Sequence, residues 1–148
     1  MVLDTNIWLD WLLFGDARTA GLRAAVVGGA VRPVATAAMR AEFAAVIARP
    51  PFEARRTAAF GPGAEGLDAA LAAWDDLVAL RPGAPASRLL CRDADDQGFV
   101  DLAIGMRASW LLSRDRAVRA LARRAWREHA LRIAPPEDID WEAVVGSL

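Results

Sequence analysis

The sequence predicts an α/β fold: a single three-layer domain in which a parallel sheet of about four or five strands is flanked by helices. Three observations carry that expectation. Residues 1–5, 31–35, 110–112 and 131–134 have strand length, and the first of them is a short apolar run stopped abruptly at Asp4, the mark of a buried central strand. Between them lie alanine- and leucine-rich stretches with apolar residues at helical spacing. The two kinds of segment alternate along the chain without a repeat, a low-complexity tract or a linker, which is the order a parallel sheet requires. At 148 residues the chain is expected to form one domain, 1–148, large enough for a core without disulfide or metal staples.

Each element has a local reason. Residues 1–5 are the first strand, and residues 8–13 a strongly apolar turn of helix ended by Phe14, Gly15 and Asp16. Residues 17–27 read as a helix with Leu22, Val26 and Val27 on one side and Gly28 and Gly29 as its stop. After the strand at 31–35, Thr36 caps a helix running to about Ala48, which must stop near Arg49, Pro50 and Pro51. Residues 52–60 form a short helix closed by Gly61, Pro62 and Gly63, and residues 67–80 carry Leu67, Leu71, Trp74 and Val78 at helical spacing. Residues 81–85 are a loop, and residues 89–91 a short extended piece that leads into an acid run at Asp93, Asp95 and Asp96. A helix over 96–106 turns Phe99, Val100, Ala103 and Ile104 inward. Then come the strand at 110–112, a helix over 116–127, the strand at 131–134, and a last short helix that Pro135 begins.

Composition narrows the function classes. A hydrophobic content of 55% excludes a disordered chain. One cysteine, Cys91, excludes an internal disulfide and fits a reducing compartment; it is expected to be a small core residue. No basic segment followed by an apolar stretch marks a signal peptide, and no window reaches the ~18 apolar residues of a membrane span, so a soluble, cytoplasmic protein with no membrane partner is expected. The net charge of −1 does not decide for or against nucleic acid, but all 18 basic residues are arginine and lysine is absent. A GC-rich coding bias, shared with the alanine excess, accounts for that, although arginine is also the better phosphate ligand because its planar fork grips two oxygens.

Four acids stand out by position. Asp4 ends the first strand, where Asp4, Thr5 and Asn6 interrupt an apolar run. Glu42 lies in the helix after the second strand, Asp96 at the start of a later helix, and Asp115 just past the strand at 110–112. In an open parallel sheet, ligands bind beyond the carboxyl ends of the strands, so these acids belong to one edge. Taken singly, Asp96 and Asp115 read as helix caps and Glu42 as a solvated residue or a partner of Arg40 or Arg49. Together they form a set of like charges that needs protons or a cation, and no lysine exists to neutralise it. Oxygen-rich sites of this kind suit Mg²⁺ or Mn²⁺.

These residues resemble the PIN-domain nucleases. The stretch Val2, Leu3, Asp4, Thr5, Asn6 resembles that family's opening strand motif, and residues 36–50, with Glu42 and Phe43, resemble the acidic second-motif helix of a bacterial toxin subfamily. Arg92, Asp93, Ala94, Asp95 and Asp96, with Ala103 further on, look like its third motif. Leu111, Leu112, Ser113, Arg114 and Asp115 look like its fourth, with Ser113 where threonine is more usual. The similarity covers nearly the entire chain. It implies a PIN-like fold and a metal-dependent endoribonuclease in which Asp4, Glu42, Asp96 and Asp115 are catalytic and hold one or two Mg²⁺ or Mn²⁺ ions, leaving a 5′-phosphate and a 3′-hydroxyl. Thr5, Asn6 and Ser113 would orient those carboxylates. For the third acid, Asp93, Asp95 and Asp101 compete with Asp96. The resemblance further implies the toxin of a toxin–antitoxin pair, a homodimer, and inhibition by a cognate antitoxin protein.

Weaker signals accompany the set. Arg116, Arg119, Arg123 and Arg127 recur at helical spacing near Arg114, and an RNA-binding role for Arg114, Arg116, Arg119 and Arg123 stands beside a plain solvated face. Trp8 and Trp11 follow the first motif on the wall of the expected cleft, where they would stack on bases or meet a partner subunit or the antitoxin; Trp74 and Trp110 read as core. His129 is alone and reads as a surface residue. The alternative to an enzyme is a non-catalytic PIN-like module that binds RNA or protein, against which the complete four-acid set argues. A phosphatase or phosphotransfer receiver would need a lysine that this chain lacks.

Overall fold

The computed structural model describes residues 1–147. The chain runs β1 (Val2–Leu3), α1 (Thr5–Leu12), a 3-10 turn (Ala17–Thr19), α2 (Ala20–Val27), β2 (Val34–Ala35), α3 (Ala37–Ile47), α4 (Pro50–Phe60), α5 (Gly63–Leu77) and β3 (Ala79–Leu80). It continues through a 3-10 turn (Ala94–Asp96), α6 (Gln97–Gly105), β4 (Trp110–Leu112), α7 (Arg116–Arg119), α8 (Ala122–His129), β5 (Arg132–Ala134), a 3-10 turn (Pro136–Asp138) and α9 (Trp141–Gly146).

Every strand pairing is parallel. β1, β4 and β5 form a three-stranded sheet in the order β1-β4-β5, and β2 pairs with β3. The Val34 N–H donates to Met1 O at 2.9 Å and the Met1 amine donates to Arg32 O at 3.2 Å, so the second pair lies alongside β1. The pleat sorts the side chains between two cores. Val2 and Leu111 face Leu89, Phe99, Val100, Leu102, Val118 and Leu131, under α6, α7 and α8. Leu3 and Leu112 face the other way, onto Ile7, Trp8, Leu22, Phe43, Ile47 and Trp74 from α1, α2, α3 and α5. That is why these strands are apolar at successive positions, and it gives the predicted three layers of an α/β fold.

Several boundaries differ from expectation. The predicted helix over 67–80 ends at Leu77, and Ala79–Leu80 is a strand, whereas residues 89–91 are not. The apolar spacing of Leu67, Leu71, Trp74 and Val78 continues past the real end, so nothing local marks it. The exit is fixed by pairing at a distance: the Ala79 N–H donates to Pro33 O at 2.9 Å and the Arg81 N–H to Ala35 O at 2.8 Å. Leu89 is instead a fully buried plug, and its carbonyl accepts from Gln97 Nε2 at 3.0 Å. The expected strand at 1–5 shortens to Val2–Leu3 because Asp4 already caps α1. The predicted helix over 116–127 is two helices, which breaks the arginine stripe: Arg116 and Arg119 belong to α7, Arg123 and Arg127 to α8.

Trp8 and Trp11 do not line a cleft. They stack with ring centroids 5.4 Å apart, Trp8 lies 5.7 Å from Trp74, and all three are buried. Their indole area is worth more in the core than on a wall. At the far side, Gly21 allows α9 to approach α2: a Cβ there would overlap the Trp141 ring, whose indole N–H donates to Pro136 O at 2.9 Å.

Candidate metal centre

The parallel sheet delivers its carboxyl ends to one edge, and the acids arrive there from four directions. Asp4 follows β1. Its backbone N–H continues the strand ladder to Leu112 O at 2.9 Å, and its side chain caps α1 by accepting from the Asn6 N–H at 3.4 Å. Ser113, the residue after β4, is fully buried and donates its hydroxyl to Asp4 Oδ2 at 2.6 Å. Ser113 Oγ in turn accepts from the Asp115 N–H at 3.0 Å, and Asp115 Oδ1 accepts from the Ala117 N–H at 2.7 Å at the start of α7. One serine hydroxyl thus ties the Asp4 carboxylate to the Asp115 backbone across adjacent strand ends.

Glu42 sits in the second turn of α3, and its Oε2 accepts from the Thr5 hydroxyl at 2.8 Å. It is paired with neither Arg40 nor Arg49; Arg40 holds Asp75 at 2.6 Å on the outer surface. Asn6, expected to orient a carboxylate, does so through its backbone, and its side chain is exposed. Beside Glu42 the surface opens into a depression of about 270 Å³ between α3 and the start of α6, floored by Met39 and Phe99 and rimmed by Asp95.

The four candidates for the third acid differ in their partners. Asp101 Oδ1 accepts from the Ser87 N–H, the Ser87 hydroxyl and Gln97 Nε2, at 2.8 to 2.9 Å, and so pins the loop before α6. Asp95 is exposed on the outer rim. Asp93 caps the 3-10 turn by accepting from the Asp95 N–H at 3.0 Å. Asp96, contrary to the capping role it has in isolation, makes no cap hydrogen bond. Its Oδ2 is buried without a hydrogen-bond partner. Asp93, Asp96 and Asp115 each offer one carboxylate oxygen within 4.8 Å of the others. The tightest set therefore includes Asp93, which the spacing left as a competitor; the run of acids at 93–96 was the only signal for it.

Electrostatics tie Asp4 and Glu42 to that set. Burial, followed by the charges of Asp4, Asp115, Asp93 and Glu42, pushes the Asp96 carboxyl up to about 7. Burial likewise raises Asp4, outweighing its bonds from Ser113 and Asn6, with Asp115 and Glu42 adding to the rise. A buried carboxylate oxygen without a donor, facing other carboxylates, is unfavourable unless a proton or a cation occupies it. The donor set is all oxygen, partly pre-ordered by Ser113, Thr5 and the α7 amides, and it fits a hard divalent ion such as Mg²⁺ or Mn²⁺. Burial pushes the Cys91 thiol up, which disfavours a thiolate nucleophile at the same edge.

Of the arginines expected near RNA, Arg116, Arg119 and Arg123 are exposed. Arg114 is not free: its Nε donates to Asp10 Oδ2 at 2.6 Å and its Nη1 to Glu137 Oε1. Arg124 and Arg127 both contact Glu128. His129 is exposed in the last turn of α8, and Trp110 is half-buried beneath the Arg132 guanidinium, 5.3 Å from its ring. Among the described residues no helix is long and apolar enough to cross a membrane.

Compared with known proteins, residues 1–117 match a family model described as a PIN domain. No curated protein and no solved structure matches the chain.

Proposed function

We propose that this chain, which belongs to the PIN-domain family, is a Mg²⁺- or Mn²⁺-dependent endoribonuclease whose site is built from Asp4, Glu42, Asp96 and Asp115, with Asp93 beside them. PIN domains are in general nucleases that bind divalent metals, so a nuclease-type hydrolase follows from membership. The observation that carries the finer reading is the buried, unpartnered Asp96 Oδ2 within a group of acids. A bound Mg²⁺ or Mn²⁺ supplies Lewis acidity, easing deprotonation of water and taking up charge on a phosphodiester under attack.

The chain's own residues do the rest. One Ser113 hydroxyl links the Asp4 carboxylate to the Asp115 backbone, which pre-orders the two strand ends before any substrate arrives. Asp96, whose Oδ2 is buried without a partner, would give up its proton to solvent on cation binding and would be among the residues that hold the ion. Glu42, oriented by Thr5, stands between the acids and the open depression at α3 and so borders the path of an entering strand. Single-stranded RNA is the proposed substrate, since an extended backbone can present one phosphate at a time to a cluster of acids.

Membership together with the four motifs supports a further part of the proposal: a toxin that acts as a homodimer and is silenced by a cognate antitoxin protein lying against the acidic edge. The chemistry and the biological role have separate tests. End analysis of defined RNAs incubated with the protein and Mn²⁺ is expected to give 5′-phosphate and 3′-hydroxyl products that vanish with chelator; 2′,3′-cyclic phosphates would contradict metal-directed hydrolysis. Expression in a bacterial host is expected to arrest growth, with rescue by a small neighbouring gene. Absence of both removes the toxin role and leaves the chemistry standing.

A further inference from the structure

We infer that Arg114 is a positioning residue for the metal centre, acting through Asp10 and Glu137, and not a contact for the nucleic acid. The inference rests on the metal reading of the acidic edge given above. Arg114 lies between Ser113, which holds Asp4, and Asp115, which caps α7. Its guanidinium reaches two elements that are distant in sequence. Nε bonds Asp10 in α1, at 2.6 Å, and Nη1 bonds Glu137 in the 3-10 turn after β5. The side chain is only 20% exposed, and its remaining nitrogen, Nη2, is buried and makes no hydrogen bond. Two of its three nitrogens thus bond carboxylates and the third is buried.

The clamp bears on the ligands through covalent neighbours. Asp10 belongs to the same short helix whose N-terminus Asp4 caps, so a tie from Asp10 to Arg114 fixes α1 against the Ser113–Asp115 turn. That tie runs beside the Ser113 to Asp4 hydrogen bond, giving two links between the same two segments where the ligands sit. Glu137 adds a third segment, itself steadied by Arg18 at 3.7 Å, while Arg18 holds Asp16 at 2.7 Å. The arrangement needs a planar fork with separated donors; one ammonium cannot reproduce both directions at once. Arg114 also offsets the charges of Asp10 and Glu137, which are gathered at the same guanidinium.

The test is Mn²⁺ titration of the full chain without RNA, by calorimetry, followed by cleavage kinetics at saturating Mn²⁺. Arg114→Gln is expected to weaken Mn²⁺ binding about tenfold, the low end of what partners of metal ligands contribute. Arg114→Lys should recover only part of that loss, and Asp10→Asn, which leaves the guanidinium its bond to Glu137, should weaken binding severalfold. At saturating Mn²⁺ the KM for RNA and its salt dependence should match wild type. Mn²⁺ affinity unchanged in both Arg114→Gln and Asp10→Asn overturns the inference. So does a raised KM with a shallower salt dependence, which is the signature of a lost phosphate contact. A wild type that takes up no Mn²⁺ overturns the metal reading itself, whereas a wild type that binds and variants that bind equally overturn only the role of Arg114.

Discussion

Asp96 is the residue on which the proposed chemistry turns. In isolation an aspartate at the head of a helix is a cap, but here Asp93 takes the capping bond and Asp96 is left with a buried oxygen and four neighbouring acids. With its carboxyl pushed up to about 7, it holds a proton at mildly acidic pH that a cation must displace. Mn²⁺ affinity should therefore rise with pH and level off above that value. Calorimetry at pH 6 and pH 8 is expected to show about tenfold tighter binding at pH 8, with one proton released at the lower pH, and Asp96→Asn should abolish the difference. For the metal-free protein the sign is opposite. A raised carboxyl pKa means the folded state binds more protons than the unfolded one, so this group's contribution to stability falls as pH climbs from about 4 to about 7. The placement of Asp4 and Asp115 just past apolar strands and of Asp96 at the head of α6 was legible in the sequence, whereas Glu42, inside α3, carried no such positional mark. The partnership of Asp93, and the diversion of Asp101 to Ser87 and Gln97, were not legible either, since both depend on how the loop over 81–93 folds back.

At the scale of elements, α3 shows how a helix can be read correctly and still hide its use. Its cap was predictable: Thr36 accepts from the Met39 N–H at 3.2 Å, and the apolar residues Phe43 and Ile47 face the core. What the periodicity could not show is that Glu42, on the exposed face, meets the Thr5 hydroxyl from another element. Thr36→Ala should lower stability by about 1 kcal/mol through loss of the cap, measured by urea denaturation. It should leave Mn²⁺ affinity nearly intact, because Phe43 and Ile47 still dock the helix that carries Glu42. The helix over 67–80 shows the converse failure. Its spacing was right and its end was wrong, because the strand at Ala79–Leu80 exists through hydrogen bonds to Pro33 and Ala35. The arginine stripe failed for a related reason, since helical spacing across 116–127 says nothing of a break between α7 and α8.

For the whole molecule, the α/β class and the edge that carries the acids followed from the alternation of apolar strands with helices, and the parallel pairings place them so. The family match ends at residue 117, yet the rest of the chain is joined to the site. β5 pairs with β4 and accepts from the Ser113 N–H through Ala134 O at 3.2 Å, and Glu137 holds Arg114. A chain cut after residue 117 would lose both ties, so the site belongs to the full molecule. The central claim is that carboxylates from four segments act as one metal-dependent ribonuclease centre. Its most direct test is the rate of single-stranded RNA cleavage in Mn²⁺ by wild type, Asp4→Asn and Asp96→Asn, purified in parallel. Cleavage by wild type with a loss of at least about a hundredfold in both variants, on the order of a lost essential charge, is the predicted result. Cleavage by both variants at the wild-type rate would contradict it.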